Sequence, residues 1–225
     1  MAEQLVFVLV DNEPPTFANF VAGPNAEAMA ALAQAARGDG GDGIALWGAE
    51  GAGKTHLLRA FAAAAVSAGR TAYYAADPAG VEANVDAQCV AVDDIDRADA
   101  AAQSRLFTLF NAVRARGGRF LAASRVPAAS TRLRDDLRTR LAWGLTFEIR
   151  TLSDADKPAA LIVHARQRGI DLGDDVIAYL LAHGRRDMRS LTATLAALDR
   201  YSLSTRRAIT VPLLREWMAS SQLPL

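Results

Sequence analysis

The sequence is poor in cysteine, histidine and lysine, and these shortages exclude several kinds of site. Its 225 residues include one cysteine, Cys89, and three histidines. A single cysteine cannot form a disulfide within the chain or a cysteine-based zinc centre, and no two histidines have the spacing of metal ligands. We therefore expect neither a disulfide framework nor a structural metal.

The sequence also lacks a long hydrophobic run. Its most apolar window, Ala60–Val66, is far shorter than the roughly 20 residues that a membrane-spanning helix requires. Met1–Leu9 has no basic region before its apolar residues and no small-residue cleavage site after them, so it does not resemble a signal peptide. We expect a cytoplasmic protein with no membrane partner.

An excess of charge of one sign is absent from the whole chain but present in each half. The 25 basic and 25 acidic residues give a formal net charge of +0, which excludes a uniformly basic nucleic-acid coat or a polyacidic tail. Residues 1–100 carry 5 basic and 14 acidic side chains, or −9, and residues 101–225 carry 20 and 11, or +9. This asymmetry suggests head-to-tail contacts or an anionic ligand.

The first 150 residues alternate strand-like and helix-like segments, which is typical of a parallel sheet covered by helices on both faces. The predicted strands are Ile44–Trp47, Thr71–Ala75, Cys89–Val92, Arg119–Ala123 and Leu145–Ile149, with a β-rich segment, Leu5–Val10, near the N-terminus. The predicted helices are Asn25–Arg37, Thr55–Ala68, Ala100–Arg116 and Thr131–Arg140.

After Thr151 the pattern is helical only. The predicted helices are Asp154–Arg168, Asp174–Ala182, Asp187–Leu203 and Val211–Ser220. Ser153, with Asp156 three residues on, is typical of a helix N-terminus. We predict an N-terminal peptide over residues 1–12, an α/β domain over residues 13–150 and a small all-helical domain over residues 151–225.

A phosphate-binding loop follows the first predicted strand of the sheet. Residues 48–55 fit the pattern G-x-x-x-x-G-K-S/T between a strand and a helix, as this motif requires. Its backbone N–H groups and the helix N-terminus can surround a polyphosphate, while Lys54 binds the β- and γ-phosphates and Thr55 ligates Mg²⁺. The predicted nucleotide-binding residues here are Gly48, Gly51, Ala52, Gly53, Lys54, Thr55 and His56.

Two carboxylates follow the apolar strand Cys89–Val92. A buried strand would bring Asp93 beside the phosphate loop, where it can hold Mg²⁺ through water, and Asp94 could polarise an attacking water. The alternative is a strand followed by a solvated acidic turn. The presence of the phosphate loop favours the functional interpretation.

Three further side chains could act on a γ-phosphate. Arg140, at the end of a short predicted helix, could reach the nucleotide of a neighbouring subunit as an arginine finger. Arg189 could contact the phosphates in cis, and Ser124, at the end of a strand, could orient water. The alternative for each is a solvated surface side chain, since the chain has 23 arginines.

These motifs resemble those of the AAA+ ATPases of the bacterial replication-initiator family. The more specific segments are Thr16–Asn25, Asp93–Ile95 and Thr139–Thr146. The resemblance implies a P-loop AAA+ core with a five-stranded parallel sheet, followed by a helical lid. It implies ADP or ATP with Mg²⁺ as ligands, Phe20 and Val21 on the adenine side, Arg140 as the finger and Arg189 as the second sensor arginine.

The N-terminal segment resembles a sliding-clamp-binding peptide of the form Q-L-x-L-x-L. Gln4 would hydrogen-bond in a pocket of the clamp, and the alternate residues Leu5, Phe7 and Leu9 would insert as apolar anchors. An ordinary edge strand is the alternative.

The resemblance implies a regulator that lacks the initiator's helix-turn-helix and binds no specific DNA sequence. It would be ADP-bound, dock on the DNA-loaded sliding clamp (the DNA polymerase III β subunit) and stimulate hydrolysis of ATP bound to the initiator DnaA. This activity prevents over-initiation of replication. Its own ATPase would be weak or absent, and a homo-oligomer is possible. The alternatives are a helicase-loader-like AAA+ adaptor, a P-loop kinase and a stand-alone DNA-binding ATPase.

Overall fold

The computed structural model describes residues 14–41, 43–185 and 187–220. The described residues form two compact units, residues 14–151 and residues 152–220. The predicted strand Leu5–Val10 lies outside the described residues. Within the described ranges, no helix combines the length and apolar character needed to cross a bilayer.

The first unit is a five-stranded parallel sheet between helices, as predicted. The strand order is β2-β3-β4-β1-β5, and each neighbouring pair is parallel. The strands are β1 Gly43–Trp47, β2 Ala72–Ala75, β3 Cys89–Val92, β4 Arg119–Ser124 and β5 Leu145–Glu148. The helices are α1 Ala26–Arg37, α2 Lys54–Ser67, α3 Ala100–Ala115 and α4 Asp135–Ala142.

Alternate side chains of the central strands enter two separate cores, because successive residues of a strand point to opposite faces. In β3, Cys89 and Ala91 pack with residues of α1 and α2, whereas Val90 and Val92 pack with residues of α3 and α4. All four side chains are fully buried. The sheet is therefore covered on both faces, which explains why its central strands are apolar throughout.

The start of α4 differs from the prediction, which placed a helix over Thr131–Arg140. The hydroxyl of Thr131 donates to the carbonyl of Ala128 at 2.6 Å and closes a short 3₁₀ turn. The backbone N–H of Arg134 donates to the side chain of Gln103 at 2.8 Å. These contacts hold the chain outside a helix as far as Arg134, so α4 begins at Asp135 and continues to Ala142.

In the second unit, residues 152–185 and 187–220 form helices joined by short turns, with no strand among them. Its helices are α5 Lys157–Gln167, α6 Asp174–His183, α7 Met188–Thr205 and α8 Val211–Ser220. They enclose a core of buried aliphatic residues: Leu161, Val176, Ile177, Leu180, Leu191, Leu198, Leu213 and Leu214.

The N-terminus of α5 lies three residues after the predicted start at Asp154, because residues 154–156 form a turn. The hydroxyl of Ser153 donates to the carboxylate of Asp156 at 2.5 Å and accepts its backbone N–H at 3.3 Å. Ser153 and Asp156 therefore interact as expected, but they do so in the turn that precedes the helix.

Candidate functional site

The predicted nucleotide-site residues of the first unit follow the carboxyl ends of neighbouring strands. Trp47 at the end of β1 is paired in register with Ser124 at the end of β4, and Val92 of β3 is paired with Ala122. Because the strands are parallel, the phosphate loop, the Asp93–Asp94 pair and Ser124 meet at one edge of the sheet. This edge is where open α/β sheets bind ligands.

Two positions of the loop require glycine, because neighbouring atoms leave no space for a Cβ. Gly48 has φ +151°, and a Cβ there would lie 2.2 Å from the carbonyl oxygen of Ile149. Gly53 has φ +103°, and a Cβ there would lie 2.7 Å from the ring of Phe20. Both positions combine a positive φ with no room for a side chain, so the loop conformation depends on glycine.

The side chain of Lys54 folds back into the phosphate loop that precedes it. This side chain is buried, and Nζ donates to the carbonyl oxygens of Gly48 and Ala49 at 2.7 and 2.8 Å. Burial lowers the pKa of Lys54 below its ordinary value, although the nearby carboxylates, chiefly Asp93, oppose the shift. A polyphosphate beside this ammonium would compensate for its lost hydration, so the geometry fits an anionic ligand.

Thr55 and Asp93 lie together as predicted for a Mg²⁺ pair. The Thr55 hydroxyl donates to a carboxylate oxygen of buried Asp93 at 2.5 Å. Hydroxyl and carboxylate oxygens fit Mg²⁺, which takes few protein ligands and completes its octahedron with phosphate oxygens and water. Among the described residues no group of three or more His, Cys, Asp or Glu side chains could hold a metal.

Asp94 has an unusual backbone for a non-glycine residue. Its φ and ψ are 46° and 39°, in the left-handed region. Its carboxylate lies 3.4 Å from the guanidinium of exposed Arg97, at the distance of a weak ion pair. Backbone conformations of this kind are common at functional sites. The role of Asp94 in polarising water stays a prediction.

Ser124 lies at the predicted edge, but its hydroxyl is already engaged. It is buried, and Oγ donates to the carbonyl of Val126 at 2.6 Å. The next residue, Arg125, forms an ion pair of 2.8 Å with Asp96, which joins the segment after β4 to the turn after β3. The sequence analysis did not predict this ion pair. Its only sign in the sequence is the acidic turn after Cys89–Val92, which contains Asp96. The water-orienting role of Ser124 stays a prediction.

Phe20 and His56 lie beside the loop on the side predicted for adenine, and Val21 directly follows Phe20. The ring centroids of Phe20 and His56 are 5.3 Å apart. Burial lowers the pKa of His56, and the hydrogen bond to the carbonyl of Thr16 opposes this shift. Since a carbonyl only accepts, Nε2 of the neutral ring carries the proton over the 2.9 Å contact. His56 thus fixes the approach of the chain to Phe20.

Asn25 is a positioning residue that sequence reasoning did not single out. Its side chain is buried, accepts the backbone N–H of Arg150 at 2.9 Å and donates to the Arg150 carbonyl at 2.9 Å. These two hydrogen bonds link the residue before α1 to Arg150, which follows β5 near the end of the first unit. The sequence signal was weak: one amide just before an alanine-rich helix.

Arg140 has a distinctive environment. It is half-buried in the last turn of α4, and its guanidinium carbon lies 4.2 Å from the ring centroid of Trp143 and 5.8 Å from that of Phe107. Within the part of the chain that the structure describes, its side chain has no ion pair and donates no hydrogen bond. Its N–H groups are therefore available to an external anion.

Arg189 is an exposed residue in the first turn of α7, in the second unit. The N-cap of this helix is Asp187, whose carboxylate accepts the backbone N–H of Ser190 at 2.8 Å. Burial raises the pKa of Asp187, but the hydrogen bonds from Ser190 and the charge of Arg185 outweigh it, so the pKa is lowered overall. The cap therefore fixes the turn that carries Arg189.

The substitution Asp187→Ala is expected to lower the free energy of unfolding of the helical unit by about 1 kcal/mol, because it removes the N-cap. Asp187→Asn, which keeps the capping oxygen, should cost much less at neutral pH. The lowered pKa predicts that the ionic part of the stabilisation is present above the ordinary carboxyl pKa and is lost as pH falls through the folded value. Urea unfolding followed by circular dichroism between pH 7 and pH 3 measures both effects, and equal costs for the two variants would contradict the capping role.

The predicted clamp-binding residues Gln4, Leu5, Phe7 and Leu9 lie outside the described residues.

The parallel sheet, the phosphate loop and the helical second unit define an AAA+ ATPase fold. The structure is similar to domain III of DnaA from Thermotoga maritima (TM-score 0.72, 19% identity, covering 93% of this chain and 97% of that chain). It is also similar to AMPPCP-bound DnaA from Aquifex aeolicus (TM-score 0.68, 20% identity, 84% and 66% covered) and to the Holliday junction branch migration motor RuvB from Thermotoga maritima (0.65, 17%, 92% and 72%).

Family models divide along the same two units. Residues 12–77 match the bacterial DnaA ATPase domain, and residues 154–218 match the lid domain of Hda. The chain therefore has the AAA+ fold and contains one segment similar to the bacterial DnaA ATPase domain and another similar to the Hda lid domain. The chain corresponds to nearly all of the DnaA domain III structure and to about two thirds of the Aquifex aeolicus DnaA chain.

Proposed function

We propose that this protein inactivates the replication initiator DnaA by completing the hydrolytic site of ATP-bound DnaA. The observation that carries the proposal is Arg140, a guanidinium held against an aromatic ring with none of its donors used by the described residues. The match to the Hda lid model supports DnaA as the partner. In this role the protein limits initiation of chromosome replication.

The proposed action of Arg140 is electrostatic. In phosphoryl transfer, charge develops on the oxygens of the γ-phosphoryl group, and an arginine supplied by a second protein stabilises it. A guanidinium suits this task because it is always charged and its planar donors match phosphate oxygens in pairs. The contribution of Arg140 would therefore appear in the rate of hydrolysis by DnaA.

We propose that the protein's own phosphate loop binds ADP or ATP with Mg²⁺ and serves mainly to order the chain. Lys54 would transfer its hydrogen bonds from the carbonyls of Gly48 and Ala49 to phosphate oxygens, and Thr55 and Asp93 would hold the metal. The ion, when bound, neutralises charge on the phosphates. In this proposal intrinsic turnover is weak and ADP is the resting nucleotide. Arg189 keeps its proposed role as the sensor arginine.

Docking on the sliding clamp is the second part of the proposal, and it rests on the sequence of residues 4–9. We expect the double substitution Gln4→Ala and Leu5→Ala to abolish binding to the clamp, because it removes the polar anchor and one apolar anchor. ADP binding should be unchanged. Surface plasmon resonance on immobilised clamp measures the first, and a fluorescent ADP analogue measures the second. Glu3→Ala, one residue before the motif, is the control, and unchanged clamp affinity in the double variant would assign these residues to an ordinary strand.

The test of the whole proposal is phosphate release from ATP-loaded DnaA, with and without this protein and with and without clamp loaded on DNA. Acceleration that needs both the protein and the loaded clamp is the expected result. If hydrolysis is not accelerated although the protein binds ATP, the inactivator proposal fails and a helicase-loader-like adaptor becomes the better candidate. A co-sedimentation assay with the replicative helicase would then distinguish that function.

A further inference from the structure

Arg140 is one of two cations that contact the same exposed aromatic ring. The guanidinium carbon of Arg140 lies 4.2 Å from the ring centroid of Trp143, and that of Arg114 lies 5.2 Å from it. Trp143 is 58% exposed, although tryptophan is usually largely covered in a folded chain. The exposed ring is therefore in cation–π contact with the proposed finger at the surface of the first unit.

The backbone of Trp143 is held from both sides. On one side, its N–H donates to the carbonyl of Arg140 at 3.3 Å and closes the end of α4. On the other, Gly144 is packed against β1, since a Cβ at Gly144 would lie 2.0 Å from the carbonyl oxygen of Gly43. Leu141, in the preceding turn, is buried in the core shared by α3 and α4. The exposed ring thus stands on a fixed piece of backbone.

An aromatic ring and a carboxylate hold an arginine side chain in different ways. A carboxylate would accept N–H groups of the guanidinium and offset its charge, as Asp135 does for Arg138 in the same helix, where Nη2 of Arg138 donates to Oδ1 of Asp135 at 2.6 Å. The ring of Trp143 attracts the cation through its π face and offers neither a carboxylate nor a carbonyl as hydrogen-bond acceptor. Arg140 is thereby directed without losing the donors that a phosphate group needs.

We propose that Trp143 is the positioning residue of the arginine finger: its ring fixes the direction of the Arg140 guanidinium before the partner arrives. The inference rests on the proposed function, because it assigns the finger to Arg140. Arg114 contacts the same ring at 5.2 Å from its centroid, so α3 also packs against Trp143. Trp143 itself does not contact the reacting phosphate.

The test compares Trp143→Ala and Trp143→Phe in the DnaA hydrolysis assay with loaded clamp, measured as a function of the concentration of this protein. Loss of the ring is expected to lower the maximal stimulated rate roughly two- to fivefold, the size of an exposed cation–π contact, with the half-saturating concentration unchanged. Phenylalanine, which keeps an aromatic face, should restore most of the rate. Leu203→Ala, which truncates an apolar side chain that is 71% exposed in the helical unit, is the control.

A second readout follows the contact without the partner. The Nε–Hε resonance of Arg140 should be shifted upfield by the ring current of Trp143 in NMR spectra of the unaltered protein. That shift should disappear in Trp143→Ala and persist in part in Trp143→Phe. Loss of the shift together with the lower maximal rate is the expected result.

Three outcomes would overturn the inference. A maximal rate in Trp143→Ala equal to that of the unaltered protein would show that the ring does not position the finger, and an effect confined to the half-saturating concentration would make Trp143 a docking residue. Both of these would leave the proposed function intact. Absence of stimulation by the unaltered protein itself would overturn the proposed function, and the positioning role would fall with it.

Discussion

Replacing Arg140 with alanine is expected to reduce stimulated hydrolysis of DnaA-bound ATP by about a thousandfold or more, the lower end of what arginine fingers contribute. The physical reason is that the variant lacks the guanidinium that would stabilise the charge developing on the γ-phosphoryl group. Nucleotide binding by the variant and its affinity for the clamp should be unchanged. Single-turnover phosphate release from ATP-loaded DnaA measures the effect.

The matched control for Arg140→Ala is Arg138→Ala. Arg138 lies in the same helix, but its guanidinium already pairs with Asp135, so its removal should leave stimulation nearly unchanged. Arg140→Lys should recover little, since an ammonium lacks the planar fork of donors and stacks less well on an aromatic ring. Full stimulation by Arg140→Ala would exclude this residue as the finger, whatever the behaviour of the controls.

The second large effect is expected at Lys54. Replacing it with alanine removes its charge-assisted contact to the β-phosphate, worth about 1.5–3 kcal/mol, so affinity for ADP should fall about ten- to a hundredfold. The fold should be nearly unaffected without nucleotide, because burial lowers the pKa of Lys54 and the charged side chain is not a source of stability there. Titration with a fluorescent ADP analogue measures affinity, and thermal unfolding without nucleotide measures stability.

The sequence supplies an unusually clear control for this experiment. Lys157 is the only other lysine, and it pairs with Asp154 at 2.6 Å in the helical unit. Lys157→Ala should leave ADP affinity unchanged. If Lys54→Ala also binds ADP normally, the loop does not hold phosphate and the nucleotide-binding proposal is wrong.

Features set by local pattern were predictable from the sequence. Cys89–Val92 was located with its bounds because four apolar residues are followed at once by two carboxylates, and the structure has a buried strand there. The contact between Thr55 and Asp93 followed from the same logic, since parallel strands deliver their carboxyl ends to one edge. In the first case six neighbouring residues contain the signal, and in the second two short motifs contain it, 38 residues apart.

Features set by distant contacts were not predictable. The late start of α4 depends on the hydrogen bond of Arg134 to Gln103, which belongs to another helix. The environment of Arg140 depends on Phe107 and Arg114, which reach Trp143 and Arg140 only after α3 and α4 have packed. The sequence alone shows which arginine resembles an arginine finger, but it does not show which side chains position that arginine.

The close packing of Gly144 on Gly43 has a further consequence for the energetics of complex formation. An arginine side chain loses up to about 2 kcal/mol of rotamer entropy when it is fixed in one conformation. Here the backbone after α4 is immobilised against β1 and the guanidinium is drawn to the ring of Trp143, so part of that loss occurs when the chain folds. Association with a partner then orders less of the side chain, and more of the interaction energy at Arg140 remains for stabilising the transition state.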